Sequence, residues 1–122
     1  MPRRFAILKH DHPFLHWDLL LEEETTARAW RLLRTPCPNE PIAAEPLSAH
    51  RLFYLDYEGP VSGDRGHVTR AFAGEYMVES SMNDVIRLQL SGIEFASSAM
   101  IQTLSDGRVF VTFIGERGIQ IP

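Results

Sequence analysis

The apolar positions of this chain fall into short blocks bounded by proline, glycine and acidic residues. Phe5-Ala-Ile-Leu-Lys-His10 and His16-Trp-Asp-Leu-Leu-Leu-Glu22 have the length and the apolar and aromatic content of pleated strands. Ala29-Trp-Arg-Leu-Leu33 is similar and stops before Pro36-Cys37-Pro38. Arg51-Leu-Phe-Tyr-Leu55 reads as a further strand running into the turn signal Asp56-Tyr-Glu-Gly-Pro60. Val68 to Val78, interrupted near Gly74, reads as a hairpin, and Val85-Ile-Arg-Leu-Gln-Leu90 ends at Ser91-Gly92. Ala99 to Leu104 and Val109 to Ile114 flank Ser105-Asp-Gly-Arg108, a hairpin signature. About seven or eight short strands with turn signals roughly every ten residues predict a mainly β fold, a single-domain antiparallel β-barrel or, failing that, a sandwich. Residues 35–49, rich in proline and alanine, read as a long surface loop. Little helix is expected, confined to a short piece within 23–28 or 93–99.

Composition narrows the setting. A chain of 122 residues, 44% hydrophobic and 23% charged, suits one globular domain over 1–122. No apolar stretch approaches the roughly 20 residues that span a bilayer, and Met-Pro-Arg-Arg-Phe is not followed by an apolar segment of signal-peptide length. The single cysteine, Cys37, excludes an intramolecular disulfide and any multi-cysteine zinc site. The expectation is a cytoplasmic, monomeric protein with no membrane partner.

Charge changes the picture further. Twelve basic residues against sixteen acidic give a net charge of -4, the wrong sign for a protein that coats duplex nucleic acid, where phosphate neutralisation supplies most of the affinity. An enzyme that visits one terminal phosphate is not excluded.

Three of the five histidines lie close together, His10, His12 and His16, with Asp18 two residues on. Residues two apart on a strand share a face, so His16 and Asp18 project together. On one straight strand His10 would lie roughly 26 Å from Asp18. Pro13 favours a turn, and a hairpin folded around residues 11–15 brings His10 back opposite the His16/Asp18 face. Two imidazoles and a carboxylate suit a divalent transition metal. The alternative is a polar hairpin in which Asp18 pairs with a neighbouring arginine. His50, followed by Tyr54, is a second contributor from a remote segment.

Lys9-His-Asp-His-Pro-Phe-Leu-His-Trp-Asp-Leu-Leu-Leu-Glu22 resembles the segment K-H-D-x-x-x-L-H-Y-D-F-R-L-E of the 3′-phosphoesterase domain of bacterial DNA ligase D. His50-Arg-Leu-Phe-Tyr-Leu-Asp-Tyr-Glu-Gly59 resembles that family's H-P-L-x-Y-x-D-F-E-G, and Ala29-Trp-Arg-Leu-Leu-Arg-Thr-Pro36 its S-W-A-V-P-K-G-P. Gly66-His-Val and Gly74-Glu-Tyr76 are similar to its later G-x-V and G-x-Y.

The resemblance implies a manganese-dependent phosphoesterase that processes DNA 3′ ends (primer–template or nicked), removing a terminal phosphate or ribonucleotide. It implies Mn²⁺ ligands at His10, His16 and Asp18, and catalytic roles at His50, Tyr54, Arg34 and Glu22. A ligase or polymerase would then act with this chain in trans. His12 matches no motif position. Three departures stand out: Leu20 replaces the motif arginine on the face of His16 and Asp18, Phe14 stands where arginine is common, and the loop Pro60–Gly66 is short. They leave a second expectation open, a catalytically silent module that binds a metal or a DNA end. Arg65, Arg51 and Arg34 are the candidates to replace the missing cation. A small-molecule-binding barrel would follow from the fold class alone and has no residue in its favour.

Overall fold

The computed structural model describes residues 2–115, so the expected domain span of 1–122 reaches past both ends. Nine strands run in chain order: β1 Arg3–His10, β2 His16–Glu22, β3 Thr26–Leu32, β4 Pro41–Arg51, β5 Gly59–Pro60, β6 His67–Met82, β7 Val85–Ser91, β8 Ser98–Thr103 and β9 Val109–Ile114. A single 3-10 turn, Leu52–Leu55, follows β4. The sheet order is β1-β2-β3-β4-β9-β8-β7-β6, and β6 pairs back onto β1, closing an eight-stranded antiparallel barrel with the two-residue β5 attached to β6. The expected fold class is therefore the one observed.

Alternation along the strands sorts side chains onto two faces. Phe5, Ile7, Leu19, Leu21, Trp30, Leu32, Ile42, Leu88, Ile101, Val111 and Phe113 fill the interior. The opposite parity of β1, β2 and β3 would meet water in a simple barrel. Here Ala6, Leu8, Leu20, Ala27 and Ala29 are buried in a second apolar cluster with Leu55 and Val68. The chain from Leu52 to Val61 crosses the outside of the barrel to cover it. Leu52 and Leu55 both pack there, as the three-residue repeat of a 3-10 turn requires. Burying a leucine of this kind stabilises by about 2 kcal/mol.

Three sequence expectations are corrected. Residues 41–49 of the expected loop 35–49 are not loop but part of the long strand β4, Pro41–Arg51. Its proline content is tolerated because β9 pairs with β4 only from Pro41 to Ala44, so Pro46 stands where only β3 is a neighbour. In the run 51–55 only Arg51 is strand, ending β4, and Leu52–Leu55 form the 3-10 turn over the outer cluster. Gly74 does not break a hairpin, since β6 is continuous. It lies where β6 passes from pairing with β1 to pairing with β7. A Cβ at Gly74 would sit 2.0 Å from the Ser91 carbonyl oxygen and 2.9 Å from the Phe5 ring, so glycine permits the close approach that shuts the barrel. Neither 23–28 nor 93–99 is helical.

Candidate metal and phosphate site

The β1–β2 pairing sets His10 directly opposite His16 and Leu8 opposite Asp18. The expected hairpin is present, and its outer face carries the three predicted ligands at the rim of the second cluster. One ligand atom each from His10, His16 and Asp18 lies within 4.8 Å of the other two. The two imidazoles meet edge to face, with centroids 4.9 Å apart.

Hydrogen bonding dictates which nitrogens are free. His16 Nδ1 donates to the Phe14 carbonyl at 2.8 Å, and His10 Nε2 donates to the Arg65 carbonyl at 2.8 Å. In a neutral ring the other nitrogen is then a lone pair. His16 Nε2 faces Asp18 Oδ1 at 3.2 Å, and His10 Nδ1 faces Asp18 Oδ2 at 3.5 Å. His16 and Asp18 are almost fully buried. Three acceptor groups directed at one another, those of His16 and Asp18 buried and that of His10 half-buried, repel unless a cation lies among them, and a backbone carbonyl behind each imidazole is the arrangement that orients metal-ligating histidines. The donor set fits a divalent metal.

These groups open into a cleft of about 410 Å³ lined also by Arg31, His50, Arg51, Tyr54 and Arg65. His50 Nδ1 bonds the Ser48 carbonyl at 3.0 Å, leaving Nε2 free. Its ring stands edge-on to Tyr54 at 6.0 Å. The 3-10 turn brings Tyr54 back towards His50. Asp18 is the one carboxylate among the described residues lining the cleft, against three arginines. Three of the twelve basic residues of this acidic chain therefore meet at this cleft.

The structure brings together His10, His16, Asp18, His50 and Tyr54. It does not bring Glu22 or Arg34 into the cleft. Glu22 ends β2, roughly 20 Å along the strand from His16, where its carboxylate accepts the Arg4 N–H at 2.8 Å. Arg34 is exposed and donates to the Pro41 carbonyl at 3.0 Å. Leu20 shares the expected face but lies deeper, fully buried beneath Leu55 among other apolar groups. His12 is exposed at the hairpin tip.

Arg31 was missed by sequence reasoning. It pairs across the ladder with Asp18, and its guanidinium lies 5.3 Å from the centre of the Phe14 ring. The available signal was an arginine inside the otherwise apolar run Ala29–Leu33.

The loop behind the site is tied to the hairpin tip. Asp11 Oδ1 accepts the His67 N–H at 2.8 Å. Gly66, at φ +80°, lies so close that a Cβ would meet Asp11 Oδ1 at 2.3 Å. This contact carries the Arg65 carbonyl to His10.

A relative in Pseudomonas aeruginosa, the multifunctional non-homologous end joining protein LigD, is 33% identical over 66 residues, covering 52% of this chain and 8% of that protein. The chain thus corresponds to a small part of that relative's length. The model of the DNA ligase D 3′-phosphoesterase domain matches residues 8–118, a span holding the histidines, the aspartate and the tyrosine that the barrel gathers at this cleft, and by that match the chain belongs to this domain family.

Proposed function

We propose that this chain is a Mn²⁺-dependent 3′-phosphoesterase that removes a terminal phosphate or ribonucleotide from DNA 3′ ends, a cytoplasmic, monomeric domain that works with a ligase or polymerase. The observation that carries the reading is the convergence of the His10 and His16 lone pairs on Asp18, beside the free Nε2 of His50. His10, His16 and Asp18 hold the ion, which when bound neutralises charge on a phosphate oxygen and lowers the pKa of its water. His50 turns Nε2 to the scissile phosphate; with Nδ1–H held by the Ser48 carbonyl, a hydrogen bond from Nε2 to a phosphate oxygen requires the imidazolium form. Tyr54 places its hydroxyl on another phosphate oxygen. Arg34 adds positive potential from outside the cleft, and Glu22 acts at a distance by fixing β1 against β2 through the Arg4 N–H.

The test is 3′-phosphate and 3′-ribonucleotide release from a primer–template with and without Mn²⁺, repeated with His16→Ala and Asp18→Ala. Release should require the metal and vanish in both variants. Unchanged release by either variant overturns the ligand assignment. Leu20, apolar where the family motif carries arginine, supports a second reading, a silent module that binds a metal or a DNA end. Metal binding without turnover on either end would favour it.

A further inference from the structure

Among the described residues, three buried side-chain atoms have no hydrogen-bond partner: His16 Nε2, Asp18 Oδ1 and Arg31 Nε. All three belong to residues lining one cleft. Buried polar groups are nearly always satisfied, so each of these atoms calls for a partner. The first two accept and call for a cation. The third is an N–H donor on a permanent cation and calls for an anion. A site with both demands side by side is complementary to a metal–phosphate pair.

The other two arginines of the cleft are differently engaged. Arg65 donates from Nε to the Ser62 carbonyl at 2.6 Å and from Nη2 to the Ser62 hydroxyl at 3.1 Å. Arg51 is exposed and lies against the rings of Phe53 and Tyr54. Arg31 is held over Phe14, with Nη1 3.6 Å from Glu45 Oε1. That ion pair is longer than a hydrogen bond and leaves Arg31 Nε without a partner. Phe14 in turn abuts His16, ring centroids 5.5 Å apart.

Resting on the function proposed above, we infer that Arg31 is the phosphate-binding cation of this chain, the role moved from position 20 on β2 to the neighbouring strand β3. The resemblance places alanine of S-W-A-V-P-K-G-P at position 31 and arginine at positions 20 and 14. This chain has arginine, leucine and phenylalanine there. Phe14 supplies the flat surface on which the relocated guanidinium rests. The substrate class is a phosphate monoester or diester at a DNA 3′ end, gripped by a guanidinium fork that lysine does not reproduce.

The experiment titrates inorganic phosphate calorimetrically into the full chain, Mn²⁺-loaded and chelator-treated, for the wild type, Arg31→Ala and Arg31→Lys, with Mn²⁺ isotherms and thermal melts alongside. Phosphate affinity of the loaded chain should fall about tenfold or more in Arg31→Ala and recover only partly in Arg31→Lys. Mn²⁺ affinity should hold or rise, since a neighbouring positive charge is gone. Equal phosphate affinity in wild type and Arg31→Ala, or no phosphate binding by the wild type, overturns the inference. Loss of Mn²⁺ binding in Arg31→Ala also overturns it, because the residue would then support the ligands. Arg31→Lys keeps the charge and the stem, so it remains informative if the alanine variant does not fold. Failure of the wild type to release 3′-phosphate would sink the proposed activity while the phosphate isotherms still decide Arg31.

Discussion

His10 and His16 face each other across the β1–β2 hairpin with opposite ring nitrogens free, Nδ1 of His10 and Nε2 of His16, because each spends its other nitrogen on a backbone carbonyl. Asp18 lies within 3.5 Å of both free nitrogens. A metal ion held among them makes this cluster attractive rather than repulsive. Its energetics therefore depend on what is bound.

Mn²⁺ should accordingly stabilise the fold. At a free concentration a hundred times the dissociation constant, linkage gives about 2.7 kcal/mol, visible as a rise in melting temperature that a chelator reverses. Asp18→Asn keeps the size of the side chain and should abolish the rise. A rise of equal size in Asp18→Asn would contradict the assigned ligand set.

His50→Ala should lower the rate of 3′-phosphate release by about a hundredfold, the usual effect of removing one preorganised donor from a transition state. Tyr54→Phe should lower it by about tenfold. Neither residue is a ligand in the proposed site, so calorimetric Mn²⁺ binding should match the wild type in both.

Leu55→Ala should cost about 3 kcal/mol in urea unfolding, as for other fully buried leucines, because Leu55 anchors the crossing segment in the outer cluster. Turnover should fall with metal affinity preserved, since Tyr54 precedes Leu55 and loses its seat. Gly74→Ala should cost about 2 kcal/mol or more, measured the same way, because the added carbon meets the Ser91 carbonyl. That substitution should leave Mn²⁺ binding intact.

Asp56 ties the crossing segment to β1 and β6 by accepting from Arg4 and Arg70. The Arg4 hydrogen bond holds its carboxyl below the ordinary 3.8, against the opposing effect of burial and with further help from the charges of Arg4 and Arg70. A depressed folded-state value contributes stability above the unfolded pKa, which is lost as pH falls through the folded one. Asp56→Asn should therefore be less stable than the wild type at pH 6, and the difference should close below about pH 4. The pair is exposed, so the effect should stay under about 1 kcal/mol and shrink in high salt. Urea midpoints across pH 2–7 for both proteins measure it.

What the residues disclosed in advance, and what they hid, follows from where the forces act. The β1–β2 hairpin was legible because apolar alternation and Pro13 act within a few residues, and parity alone placed His16 with Asp18. The β8–β9 hairpin was legible for the same reason, with Gly107 at φ +90° in its turn. β4 was hidden because its tolerance for proline comes from lacking a second neighbour beyond Ala44, a property of the assembled sheet. The turn at Leu52–Leu55 was hidden because its leucines are drawn to an outer cluster formed by remote strands. Arg31 escaped notice because its relation to Asp18 exists only through the β2–β3 register. Glu22 and Arg34 were expected at the site from motif position, and the barrel holds both away from the cleft.

Both imidazole-orienting acceptors, at Phe14 and Arg65, are main-chain oxygens. Any amino acid can supply such an oxygen, provided the loop keeps its course. The outer support of the donor set is thus written in backbone path rather than in side-chain identity, and a change of side chain at 14 or 65 leaves the imidazole tautomers as they are, whatever it does to the seat of Arg31. A comparison that matches letters will miss this half of the site, whereas one that compares loop trajectories will find it in chains whose letters there have nothing in common.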